Sequence, residues 1–527
     1  MQEEVKFDDY ELLKFLIDHY KEFSFFSKKE FGEITTENFI TDNIIKIFRE
    51  EKEEDLRKDG FKRVFNPSRE GALDVLDFWE RLIIDAIKYL KWHDIAEFDK
   101  IREPRGPNEF EKMKEAYDDI SEGSLGVYNL KEYFKSFIEF ERLLYGAEQF
   151  YRDHVFHILK VWLIGQYIIK HRVKSDFLIE INEDNLNLAS SDLLKSDKNG
   201  GTLYAGEEDA IWCLIALTHD LGYPLSKVEN INKSLKKMME YYAKTGLEEF
   251  SFSFPQQNVF INDAILKYIS SKIVNDEENP DEFDTHIQAK FYLKFSRSFE
   301  LFKHGLISCI VLAKNLIYFL ETNFDHNPGA NLGNKEEARQ FVIRREILRS
   351  IASHTCPEIY HIKPNSFSFL LLIADEIQSW GRPTFEDMIL GMDKKYSVIM
   401  HAFDNKRIAF SIQYTPDTGQ KPMKPESLLG LFMEKTAFFK KILRVAVGSL
   451  QRDFTLEFEI IDELNDRFKF TAEPRKRAEM TINGEKINHK QLEKLVPFHM
   501  KNIFKIEKDV SDFINRYFKN SRRKTET

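Results

Sequence analysis

Several histidines and aspartates stand in this chain where an apolar helix face would normally carry leucine. In YRDHVFHILKVWLIG, His157 shares a helical face with Val161, Ile164 and Ile168, and His154 stands one turn earlier. In IWCLIALTHDLGYP, His219 and Asp220 follow an apolar run that Gly222 and Pro224 are expected to end. His304 opens the apolar stretch FKHGLISCIVL, and His354 closes EILRSIASHTCPE. Asp375 lies beside Leu371 and Leu372 in FSFLLLIADEIQSW. An ionised carboxylate on such a face is costly unless it is paired or bound to metal. Imidazole and carboxylate together suit a divalent first-row metal with open positions for water and phosphate oxygens. Such an ion acidifies its water and neutralises phosphoryl charge, which is what phosphate-ester hydrolysis requires.

Taken singly, each of these residues has a plainer reading. A histidine on an apolar face is more often a satisfied core residue, and a lone buried aspartate is more often salt-bridged. Trp92-His93-Asp94 repeats the His-Asp dipeptide in a charged context, with no apolar run before it and no glycine after it. The ordered combination is far more specific: H-x-x-K-V, then His-Asp before Leu-Gly, then a late Asp in L-x-x-A-D-E.

The elements that must position these groups are mostly helices. Residues 1–140 read as a helical flank, with DYELLKFLIDHYKEF and ALDVLDFWERLIIDAIKYLKW as its helices and KIREPRGPNEFEK as a loop. Residues 141–390 read as a helical body that holds all the candidate ligands, since a bundle can bring side chains from several helices to its centre. Its polar stretches at 182–202, 275–284 and 323–337 read as loops. From 391 the pattern turns to alternation: IAFSIQY and FTLEFEI are half-buried strands, Asn483-Gly484 is a two-residue hairpin turn, and SLLGLFMEKTAFFKKIL and KDVSDFINRYF are helical. The fold class is therefore mainly α, with a smaller α+β appendage over 391–527 and a short basic tail.

Composition narrows the partners. With 527 residues, 42% of them hydrophobic, and 47 phenylalanines, the chain can build large aromatic cores. A formal charge of −11 argues against a protein that grips bulk duplex nucleic acid. It leaves room for a small anion in a local pocket. Cys213, Cys309 and Cys356 form no C-x-x-C and no disulfide framework, which fits a reducing, cytoplasmic setting. No signal peptide is visible, and the longest apolar stretch, 306–320, is broken by Lys314 and Asn315, so no membrane span is expected.

The ordered set His157, His219-Asp220, Asp375 resembles the HD superfamily of metal-dependent phosphohydrolases. The resemblance covers about 140–390 and reaches neither flank. It implies an HD-type helical bundle whose four residues surround a metal such as Mn, Fe, Ni, Mg or Zn. In members with two ions, further histidines complete the site, and His304 and His354 stand in the right order for that. HDLGYPLSK is similar to the loop of HD-type deoxynucleoside triphosphate hydrolases, but Tyr223 stands where a second histidine belongs. His154, His304 or His354 would then supply the proton to the leaving oxygen, and Asp220 would also orient the attacking water. The Gly222-Tyr223-Pro224 string is similar to a signature of cyclic-dinucleotide phosphodiesterases, where it sits elsewhere in the motif.

Basic residues near the motifs would hold the phosphates. Arg152, Lys227 and Arg382 flank them, and Arg339, Arg344, Arg345 and Arg349 lie on a basic helix leading to His354. Singly each reads as a solvated charge; together they can hold a triphosphate. Arg152, Tyr223, Lys227, Arg345 and Arg382 are the expected substrate contacts. The sequence thus points to hydrolysis of a deoxynucleoside triphosphate. The alternatives are a cyclic mono-, di- or oligonucleotide phosphodiesterase and a nucleotide-sensing scaffold without turnover. The appendage is open to a regulatory nucleotide or to self-association, and the resemblance alone suggests a homo-oligomer.

Overall fold

The computed structural model describes residues 5–7, 11–12, 14–16, 69–98, 125–144, 154–172, 207–228, 231, 237, 241, 256–275, 283–321, 330–331, 335–356, 358–359, 362, 366–380, 395–404, 406–415, 455–461, 467–473 and 477–486. Arg152, Arg382, the polar segment 182–202 and the helices expected after the IAFSIQY strand lie outside these residues. The chain divides into two compact units. A helical unit takes 14–166 and 179–359, and a sheet unit takes 1–13, 167–178 and 360–527. These do not coincide with a division at 140 and 390. Most of the N-terminal flank shares a unit with His157, His219, Asp220, His304 and His354, and residues 360–390, Asp375 among them, go with the strands.

The helical unit is organised around one helix. α1 (Arg69–Phe98) and α2 (Val127–Leu144) precede α3 (His154–Arg172), which leads to α4 (Glu207–Thr218). α4 is the apolar run before His219, and its residues are buried from Ala210 to Thr218. Each fully buried leucine or isoleucine there contributes on the order of 2 kcal/mol. A helix apolar all round must be enclosed, and α1 packs closely along it. The buried positions Val75, Leu76, Trp79, Leu82, Ile83, Ala86, Ile87 and Leu90 recur every three or four residues along α1. The Trp79 indole donates to the Leu217 carbonyl at 2.8 Å, one of the C-terminal carbonyls an α-helix leaves without an internal partner.

After α4 come α5 (Gln256–Ile269), α6 (Ala289–Glu300), α7 (His304–Asn315) and α8 (Lys335–Ser353). α7 and α8 pack on each other and on α4. The acidic run at 275–284 is bracketed by strands that the sequence reading did not anticipate: β2 (Ser271–Asn275) and β3 (Phe283–Ile287) pair antiparallel, and β4 (Ala330–Asn331) adds a third strand. Five-residue strands beside a charged loop carry too short an alternation to stand out.

Among the described residues, the sheet unit contains seven strands in the order β1-β5-β6-β7-β8-β9-β10. They are β1 (Val5–Phe7), β5 (Lys395–Phe403), β6 (Arg407–Thr415), β7 (Thr455–Ile461), β8 (Arg467–Glu473), β9 (Arg477–Ile482) and β10 (Glu485–Lys486). Only β6 and β7 are parallel. The expected alternation holds: Leu456, Phe458 and Ile460 are buried and their neighbours half-buried. α9 (Phe367–Trp380) lies on the buried face, with the Trp380 ring against Phe410 and Phe458 and Phe369 against Phe403. Asn483 and Gly484 turn β9 into β10 with φ of 50° and 86°. Two successive positive values define the type I′ turn that Asn-Gly favours. Among the described residues, no helix is long and apolar enough to cross a membrane.

Candidate metal centre

α4 stops at Thr218, and the chain turns immediately through His219 and Asp220. The Tyr223 N–H donates to the Asp220 carbonyl at 2.9 Å, and a new helical segment starts at 223. Pro224 therefore belongs to the start of that segment rather than to the end of α4; a proline is tolerated in a first helical turn, where its missing N–H costs nothing. Three side chains hold the turn. Trp79 caps Leu217, the Tyr133 hydroxyl of α2 donates to the Leu221 carbonyl at 2.6 Å, and the Gly222 N–H donates to Ser308 Oγ at 2.7 Å. Burial pushes the Tyr133 hydroxyl well above the usual phenol range, so it stays a donor. Gly222 allows a close approach: a β-carbon there would lie 2.4 Å from the His304 carbonyl oxygen.

Around Asp220 the turn gathers four histidines from four places in the chain. Asp220 Oδ2 lies 3.3 Å from His157 Nε2 and 3.5 Å from His219 Nε2. Asp220 Oδ1 lies 3.2 Å from His304 Nε2 and 3.8 Å from His354 Nε2. The ligand atoms form two groups that can each hold a metal ion, His157-His219-Asp220 and Asp220-His304-His354, with one carboxylate shared. His157, His219, Asp220 and His354 are buried, whereas the His304 side chain is 31% exposed.

The donor set fits a cation. His219 Nδ1 sits 2.8 Å from the Ala216 carbonyl, and His354 Nδ1 sits 2.6 Å from the Ile351 carbonyl. A carbonyl can only accept, so each Nδ1 carries a proton and Nε2 is the ring nitrogen turned inward toward Asp220. His157 Nε2 faces His219 Nε2 at 3.3 Å. Two lone pairs at that distance repel unless a proton or a metal lies against them. Burial alone would raise the Asp220 carboxyl, but His219, His157, His304 and His354 outweigh it and hold it well below the usual carboxylate range. Asp220 is thus an anion in an enclosed place, which is what a cation site needs.

Beside the ligands lies a second cluster. The His154 ring lies at a tilt against Tyr223, and Tyr223 meets His304 edge-on at 5.9 Å. His154 Nδ1 is 3.2 Å from Glu141 Oε1, and the same oxygen accepts the His154 main-chain N–H. Lys227 Nζ lies 4.8 Å over the Tyr223 ring. Glu141 escaped the sequence reading. It is one of three acidic residues on an ordinary amphipathic helix, thirteen positions before its partner, and no spacing rule links them.

Asp375 is in neither ligand group; it lies on α9, in the sheet unit, and is half-buried. The basic helix is mainly structural in its bonds. Arg345 is fully buried and donates to the Ser271 carbonyl at 3.2 Å, and Arg349 donates to the Ile269 and Ser271 carbonyls at 2.8 and 2.7 Å. Arg339 pairs with Glu207 at the start of α4, and the Arg344 guanidinium lies 4.4 Å over the Tyr318 ring. No protein-family model matches the chain, and no curated protein or solved structure matches it either.

Proposed function

We propose that this protein is a metal-dependent phosphohydrolase acting on nucleotides, with a deoxynucleoside triphosphate as its substrate. The observation that carries this reading is the pair of ligand groups built on the two oxygens of Asp220. The sequence resemblance to the HD superfamily, carried by His157, His219, Asp220 and Asp375, implies the same chemistry. One or two divalent ions would be held by His157, His219, Asp220, His304 and His354, supplying Lewis acidity and an acidified water for attack on phosphorus. Asp220 keeps its negative charge and orients that water. Glu141 fixes a proton on His154 Nδ1, which leaves His154 Nε2 to exchange a proton with the leaving oxygen. Lys227, beside Tyr223, supplies positive charge for the phosphates.

The experiment is a substrate panel. Purified protein loaded with Mn is incubated with deoxynucleoside triphosphates, ribonucleoside triphosphates and cyclic mono- and dinucleotides. Release of phosphate or tripolyphosphate from the linear deoxynucleotides is the expected result. Turnover confined to cyclic substrates would replace the substrate class. Absence of turnover on every nucleotide, with metal bound, would overturn the enzymatic reading.

A further inference from the structure

We infer that Ser308 is a positioning residue that sets the outer half of the metal centre. His219 and His354 each have a ring nitrogen fixed by a backbone carbonyl. His304 differs: among the described residues its ring meets one hydrogen-bonding partner, Asp220 itself. Its aim therefore depends on where α7 begins, since His304 is the first residue of that helix. Ser308, one turn later and fully buried, fixes that start. Its hydroxyl donates to the His304 carbonyl at 2.8 Å and accepts the Gly222 N–H at 2.7 Å. A single oxygen thus joins the main chain at His304 to the main chain two residues past Asp220. Because Gly222 has no side chain, the two backbones meet with nothing between them. Both ligands of the outer group that need registering, His304 and Asp220, are referred to each other through Ser308. The inner group, His157-His219-Asp220, shares Asp220 but takes neither of its histidines from α7.

Residues that orient metal ligands without touching the ion govern affinity by about 10–100-fold. Ser308→Ala should therefore weaken the second Mn ion by roughly 10-fold or more and leave the first unchanged. The control is Ser270→Ala. Ser270 is equally buried, but among the described residues its hydroxyl bonds only the Leu266 carbonyl in the last turn of α5, far along the chain from the ligands. It should share any general cost of losing a buried hydroxyl and leave both ions alone. Ser308→Thr retains the oxygen and should restore the second ion.

This proposal rests on the two-group metal reading, and its test is Mn titration of the metal-stripped full chain by calorimetry and by electron paramagnetic resonance, with circular dichroism to establish that each variant is folded. Selective loss of the weaker ion in Ser308→Ala supports it. Equal weakening of both ions, no change in either, the same loss in Ser270→Ala, or a wild type that binds one ion overturns it. Nucleotide turnover is measured separately. A chain that binds two ions, loses one in Ser308→Ala and hydrolyses nothing would refute the proposed activity while leaving the role of Ser308 standing.

Discussion

The imidazole of His154 and the phenol ring of Tyr223 lie against each other at a tilt, with centroids 3.5 Å apart and planes inclined by 32°. Tyr223 occupies the position where the resemblance led us to expect a second histidine. The aromatic ring there instead backs a histidine from α3, which Glu141 holds from the other side.

That arrangement separates chemistry from metal binding. His154→Asn should leave the Mn content unchanged and lower kcat by about 10²–10⁴-fold, the range of general acid–base assistance. Glu141→Gln, which keeps the shape and removes the charge, should give a smaller loss. Metal analysis beside steady-state kinetics checks both; loss of metal in His154→Asn would make it a ligand or a structural residue instead.

The shared carboxylate makes a sharper prediction about stoichiometry. Asp220→Ala should abolish both ions, whereas His354→Ala should abolish the outer one alone. In wild-type protein, Mn at 100 times its Kd should add about 2.7 kcal/mol of stability, seen as a higher Tm, and Asp220→Ala should show none of this gain.

A methyl group at Gly222 would meet the His304 carbonyl oxygen and, at 2.6 Å, the Ile307 β-carbon. Neither can swing aside, because both belong to the first turns of α7. Gly222→Ala should destabilise the protein by about 1–3 kcal/mol and reduce its metal content. Thermal unfolding and elemental analysis of the same preparation test the two effects together.

Arg349 offers a contrast between binding and scaffolding. Its guanidinium satisfies two backbone carbonyls at the passage from α5 into β2. Arg349→Ala should cost about 2–4 kcal/mol in denaturant unfolding, through the loss of charge-assisted hydrogen bonds, and should leave KM for the nucleotide within about twofold, well under the cost of a lost ion pair. A large rise in KM with unchanged stability would return this arginine to the substrate.

In the sheet unit, burial alone would raise the Glu457 carboxyl, but hydrogen bonds from Arg407 and Lys469 hold it below its usual value. A carboxyl depressed in the folded state stabilises the fold above its unfolded pKa, about 4.3. That contribution is lost as pH falls through the folded value. Glu457→Gln should therefore be less stable than wild type by about 0.5–1 kcal/mol at pH 7, with the gap closing toward pH 3. Urea unfolding across that range checks the sign.

What could be read from the sequence was whatever periodicity writes locally. α9 was legible from FSFLLLIADEIQSW, the start of α7 from the apolar run after His304, and the β9–β10 turn from Asn483-Gly484. The gathering of His157, His219, Asp220, His304 and His354 was legible because each sits beside an apolar helix. Asp375 falls in neither ligand group, and the helix that carries it belongs to the sheet unit. The buried arginines misled for a physical reason. A guanidinium takes whatever carbonyl the tertiary structure offers, and β2, which supplies Ser271, was not visible beforehand.

One pairing has a consequence for how the chain comes to be folded. β1, at residues 5–7, hydrogen-bonds to β5, at Val398 to Met400. During synthesis the first strand leaves the ribosome long before its partner exists. At roughly 5–20 residues per second the wait is on the order of 20 seconds to more than a minute. The helical unit, whose segments end at Ile359, is fully synthesised within that interval. A deletion at the very beginning of the chain would then be felt last, in the closing of a sheet at the far end, and the histidine cluster would already be in place.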